Sequence, residues 1–174
     1  MGYGQFVDTF ESVCRKHLRE GKARAFAFVF YDMSHGVVRE ALRQAHGFQR
    51  LHEKTGNDVT LFYLHDHAVD AHWRKFNLEF MAALGVENQV KTPCMVFFRV
   101  EDEDIADVSI YAIDGKSTDP VLTVAELEQY VEDAIKTLNA EGDVSALASL
   151  GKAVIQLGGL VKFGEFLLRL KGAA

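Results

Sequence analysis

Apolar positions along this chain follow two alternating patterns, and their order predicts a mixed α/β fold. Over residues 5–20, Phe6, Val7, Phe10, Val13, Cys14 and Leu18 recur every three or four positions, the spacing of one helix face, and Gly21 follows as a stop. Residues 25–31 (Ala-Phe-Ala-Phe-Val-Phe-Tyr) are almost wholly apolar, as suits a strand covered on both faces. Helical spacing returns over residues 36–54 through Val37, Val38, Ala41, Leu42, Ala45, Phe48 and Leu51, and Thr55-Gly56-Asn57-Asp58 is turn chemistry. A second apolar strand is predicted over 59–64 and a further helix over 73–84, ended by Gly85. Residues 94–100 and 108–113 then read as a hairpin connected by the acidic Glu101-Asp102-Glu103-Asp104. A helix over 124–138 turns Leu127, Val131, Ile135 and Leu138 inward, with Thr123 and Glu126 spaced as a capping box at its start.

The remainder, from about residue 144 to 170, carries more apolar surface than one stripe needs. Leu147, Leu150, Val154, Leu157, Val161 and Leu168 keep helical spacing, and Leu160, Phe163, Leu167 and Leu170 form a second row. Lys152, Lys162, Arg169 and Lys171 give this tail a basic face. It predicts a helical extension that docks on its own domain, dimerises or meets a partner, with Leu150, Val154, Leu157, Val161 and Leu168 as the partner-binding row. Contact with a membrane surface is a further reading of such a helix, whereas lysines and glycines break every apolar stretch well short of a transmembrane span.

One of only two prolines opens the strand in Val90-Lys91-Thr92-Pro93-Cys94-Met95-Val96-Phe97-Phe98. Proline has no N–H for a sheet ladder and is tolerated at a strand's first residue. The order β-α-β-α-(Thr-Pro)β-β-α resembles the thioredoxin-like fold, in which a cis-proline of this kind lies beside the active site. The resemblance implies a three-layer α/β/α domain with a mixed central sheet over residues 1–140, followed by the helical extension over 141–174. It also implies that Thr92, Pro93 and Cys94 lie on the functional edge. Redox members carry Cys-x-x-Cys where the first core strand runs into its helix. Here that stretch is Asp32-Met33-Ser34-His35-Gly36, with no cysteine to form a thiolate, so ordinary dithiol chemistry is excluded.

Composition narrows the classes further. The chain has 174 residues, 48% hydrophobic and 25% charged, enough for one core of ordinary globular kind. A net charge of -6 gives no reason to expect a nucleic-acid partner. Cys14 and Cys94 are too few for a disulfide framework and fit a reducing intracellular compartment, and no secretory signal is read at the N-terminus.

Seven histidines offer candidate chemistry. The strands ending near Tyr31 and Leu64 are expected as parallel neighbours, with axes about 4.8 Å apart. Their C-terminal ends would bring His35, His65 and His67 to the edge where open α/β sheets bind ligands. With Asp32 or Asp66, these imidazoles form a candidate divalent-metal edge, although paired metal motifs are missing from the sequence. Ser34 reads as the cap of the following helix or, beside His35, as an activated hydroxyl. Cys94 reads as a packed thiol or as an edge nucleophile. His17, His46 and His52 read as surface residues. The expectation from these observations is a non-catalytic, cofactor-free interaction module, an accessory or scaffold subunit working with a protein partner or a second copy. The alternatives are a thiol- or metal-dependent enzyme or metal-binding protein using His35, His65, His67 and Cys94, and a peripheral membrane protein anchored by its C-terminal helix.

Overall fold

The computed structural model describes residues 3–23, 25–43, 46–63, 70–89, 91–139 and 154–172, with residues 3, 70–72, 106–107 and 154–160 described by their backbone alone. The elements run α1 (Tyr3–Glu20), β1 (Ala25–Phe30), α2 (Gly36–Arg43), α3 (Gly47–Thr55), β2 (Val59–Tyr63), α4 (Asp70–Leu84), β3 (Cys94–Glu101), β4 (Asp104–Ala112), α5 (Pro120–Asn139), β5 (Val154–Lys162) and α6 (Phe163–Gly172). The mixed α/β class read from the sequence is therefore present.

The described strands form one sheet in the order β2-β1-β3-β4-β5. β1 pairs parallel with β2 and antiparallel with β3, and the remaining neighbours are antiparallel. All six residues of β1 are buried, because helices cover both sides of it. Phe26, Phe28 and Phe30 face one layer with Val7 and Phe10 of α1, Phe76 and Phe80 of α4, and Phe166 and Leu170 of α6. Ala25, Ala27 and Val29 alternate to the other face, against Val38, Leu42, Leu51, Leu127 and Val131. The first layer is built largely of rings in offset and edge contact, such as Phe10–Phe80 at 5.2 Å and Phe80–Phe166 at 5.3 Å. On the second face, ion pairs Arg50–Glu128 at 2.7 Å and Lys54–Glu132 at 2.5 Å tie α3 alongside α5.

Three expectations are corrected. The tail is not one helix: residues 154–162 are strand β5, paired with β4 through Val154↔Tyr111, Leu157↔Val108 and Val161↔Ile105, and the helix begins only at Phe163. Of the expected partner-binding row, Val154 and Leu157 therefore lie in the sheet, and Val161 packs partly buried against the core. Leu168 is 70% exposed, and Leu150 lies outside the described residues. Two glycines mid-segment and β-branched residues on either side favoured sheet pairing over helix. Helix 36–54 is broken in two, since His46 adopts φ 51°, a left-handed conformation that cannot continue a right-handed helix. The helix expected at 124 begins four residues earlier at Pro120, whose fixed φ suits the first helical position. Its cap is Asp119, whose Oδ1 accepts from the Val121 N–H at 2.8 Å. Thr123 donates back to the Asp119 carbonyl at 3.2 Å, and Glu126 accepts from Tyr130 instead, so the expected capping box is absent.

The hairpin is as expected but tighter. Asp102 (φ 49°) and Glu103 (φ 67°) make a two-residue turn of left-handed residues, whose twist matches the flanking strands.

Candidate functional site

The register fixes the candidate edge. Phe30, the last residue of β1, pairs with Cys94, the first of β3, and Cys94 pairs with Ala112, the last of β4. The segments leaving or approaching these three residues thus share one end of the sheet: residues 31–35, Thr92-Pro93, and the loop 113–119 that leads into α5. Thr92–Pro93 is a cis bond, and the buried Pro93 is held by the Ile113 N–H, which donates to its carbonyl at 3.0 Å. Gly115 lies against the proline ring; a Cβ there would sit 3.3 Å from Pro93 Cδ.

Asp32 organises the turn from β1 into α2. Its Oδ1 accepts from the Ser34 N–H at 2.8 Å and from the Ser34 hydroxyl, and His35 Nδ1 lies 2.9 Å away. The Asp32 N–H also points at His35 Nδ1, at 3.2 Å. One ring nitrogen cannot serve both: with its proton on Nδ1 the imidazole donates to the carboxylate, the shorter and charge-assisted contact. The His35 N–H donates to the Asp32 carbonyl at 3.1 Å, and the Arg39 N–H to the His35 carbonyl at 3.2 Å as α2 begins. Burial alone would raise the Asp32 pKa; hydrogen bonds from Ser34 and the charges of His35 and Arg74 outweigh it and hold the carboxyl below its ordinary range.

This geometry corrects both readings of Ser34. Its hydroxyl neither caps α2 nor meets His35; it gives its proton to Asp32, which stands between them. A nucleophilic serine needs the imidazole to accept that proton. The cluster is a closed brace that holds the end of β1 in shape.

Beneath it, α4 supplies Asn77, whose Nδ2 donates to the Tyr31 carbonyl at 2.8 Å, and Trp73, whose ring meets Tyr31 edge-on at 4.8 Å. Trp73 Nε1 and Asn77 Oδ1 are buried without a hydrogen-bond partner among the described residues. Cys94 is fully buried among the aromatic layer, and burial pushes its thiol up to about 12. Burial raises the Cys14 thiol further still. Both shifts oppose the thiolate that nucleophilic work requires.

No family model, curated protein or solved structure matches this chain.

Of the residues expected at the edge, Thr92, Pro93, Cys94 and His35 come together there, while His65 and His67 lie outside the described residues. Among the described residues no three His, Cys, Asp or Glu side chains gather into a metal-ligating group, and no helix is long and apolar enough to cross a membrane. His17 is half-buried rather than at the surface, with Nδ1 2.6 Å from Thr60 Oγ1 on β2. Sequence reasoning passed over Asp32 as the hub of the turn, and over Trp73 and Asn77 beneath it. It also missed the exposed apolar residues Met33, Val121 and Leu122 near the edge. The Pro120-Val121-Leu122 run directly after Asp119, a helix start with two apolar residues ahead of the inward row, was the available signal.

Two outcomes follow. Alkylation of the folded protein should label neither Cys14 nor Cys94, while denaturation should expose both; native labelling of Cys94 would contradict its burial. Asp32 should stabilise the fold in a pH-dependent way. Because its folded pKa is depressed, that contribution is complete above the ordinary aspartate value of about 3.9 and is lost as pH falls through the lower folded value. Asp32→Asn should therefore lower the urea midpoint at pH 6, and the gap from the parent protein should narrow below about pH 4. A pH-independent gap would refute the carboxylate's role.

Proposed function

We propose that this chain is a thioredoxin-like protein without dithiol chemistry that binds a partner protein along the edge at Pro93, as an accessory or scaffold subunit. A parallel pair of β1 with the edge strand β2, an antiparallel strand opened by Pro93 and a following hairpin strand support the fold reading. The redox position is filled by the Asp32 brace, and the one thiol at the edge is buried.

The observation that carries the interaction reading is the apolar exposure at this edge. Met33 beside the end of β1 is 39% exposed, and Val121 and Leu122 at the start of α5 are 58% and 64% exposed. Val121 and Leu122 are adjacent in the chain, and neighbouring large apolar side chains left in water suit a surface that another molecule covers. Leu78 of α4 and Leu168 of α6 are exposed as well, at 60% and 70%. The docking surface proposed here is the sheet edge rather than the tail, although Leu168 belongs to the expected tail row.

The test is to purify the tagged full chain under mild conditions and measure the mass of the native species. A discrete assembly is expected, and Val121→Asp with Leu122→Asp should release it without changing the urea midpoint. A parent chain that runs only as a monomer, or a variant that keeps the assembly, would overturn the reading.

A further inference from the structure

We propose that Met33 is the oxidation-sensitive methionine among the described residues, where a hydroperoxide converts the thioether to a sulfoxide on a sulfur face selected by Arg39. Met33 sits on the turn between β1 and α2 with 39% of its surface open, while Met81 and Met95 are 5% and 0% exposed within the core. A peroxide molecule must reach the sulfur to react, so the folded chain protects two of its four methionines and presents this one.

The turn gives that sulfur a defined orientation. Arg39, one turn into α2, directs its Nη1–H at Met33 Sδ from 3.2 Å. A thioether sulfur has two lone pairs on opposite sides of its C–S–C plane. With the guanidinium seated on one, peroxide attacks through the other. The sulfur lone pair displaces the O–O bond at one peroxide oxygen: an S–O bond forms, hydroxide leaves, and after proton transfer the products are the sulfoxide and water. Sulfur loses two electrons and the peroxide gains them, so no further co-reactant is required. Because the two faces give different sulfoxide epimers, the Arg39 contact predicts that one epimer predominates.

The product replaces an apolar, flexible side chain by a polar one. Its effect on docking rests on the function proposed above, since Met33 is one of the three apolar side chains at that edge; the oxidation chemistry does not.

The experiment exposes the folded full chain to dilute hydrogen peroxide, digests it and maps each methionine by mass. Met33 sulfoxide should form about ten-fold faster than sulfoxide at Met81 or Met95. Epimer-specific sulfoxide reductases, used as reagents on the recovered peptide, should repair it unequally. Arg39→Ala should bring the two epimers toward equal yield while leaving the fold intact by circular dichroism. Met81 or Met95 oxidising as fast as Met33, or an epimer ratio unchanged in Arg39→Ala, would overturn the proposal. The docking consequence is read separately: Met33→Gln should lose the assembly that Met33→Leu keeps. Loss by neither variant, with the peroxide map as expected, would overturn the docking consequence and leave the oxidation site standing.

Discussion

Phe166→Ala should cost about 3–5 kcal/mol of folding stability, the range for emptying a fully buried phenylalanine site. Phe166 is fully buried in the middle of the aromatic layer, with ring contacts to Phe10 at 6.1 Å, Phe80 at 5.3 Å and Phe98 at 5.7 Å. It thus joins α6 to α1, α4 and β3 at one point, and truncation opens a cavity lined by rigid rings that cannot collapse into it. Leu168, two residues on and 70% exposed, is the internal control: Leu168→Ala should change stability by no more than about 0.5 kcal/mol. Urea unfolding followed by the fluorescence of Trp73, the only tryptophan and fully buried, measures both. Equal effects at the two positions would mean that α6 is not part of the core.

The second large effect is expected at Gly47→Ala, about 3 kcal/mol of destabilisation from overpacking. Gly47 opens α3 where that helix crosses close to its neighbours. A Cβ there would lie 2.3 Å from the Ala41 carbonyl oxygen and 2.8 Å from Val124 Cγ2. The first of these is backbone of α2 and cannot swing aside, so α3 must lift away from α2 and α5. Gly36, at the start of α2, has open space around its α-carbon. Gly36→Ala should be neutral or stabilising by less than about 1 kcal/mol, as the relative helix propensities require. The contrast between two helix-opening glycines separates steric close approach from backbone entropy, and comparable losses at both would refute the packing argument.

Much of this architecture was legible because long-range burial leaves a local signature. The unbroken apolar run at 25–31 could only be a strand covered twice, and β1 is that strand. Pro93 marked the start of β3 because its missing N–H excludes the strand interior. The tail was misread because Val154-Ile155-Gln156-Leu157 and Leu160-Val161 satisfy helical spacing while also forming short apolar runs, and such runs carry both periods at once. What decided between them was the open side of β4, which no local pattern can reveal. The break at His46 was hidden for a related reason: the apolar positions of α2 and α3 remain in phase across it, so periodicity showed one helix where the backbone makes two.

At the site, Ser34 and His35 were visible as residue types, but their chemistry depends on which atom stands between them. Asp32 occupies that place through a turn whose geometry spacing alone does not determine. Exposure was equally hidden, since Val121 and Leu122 resemble the inward residues of the helix they begin.

Lys171 of α6 reaches two carboxylates of α1, Glu11 at 2.7 Å and Asp8 at 3.3 Å, so the first and last described helices clasp each other. A chain joined in this way must bring distant segments together before its aromatic layer can close, and the entropy of that closure falls on the folding step itself. Refolding should accordingly be slow for a domain of this length, with α1 searching for a neighbour encoded at the far end of the sequence.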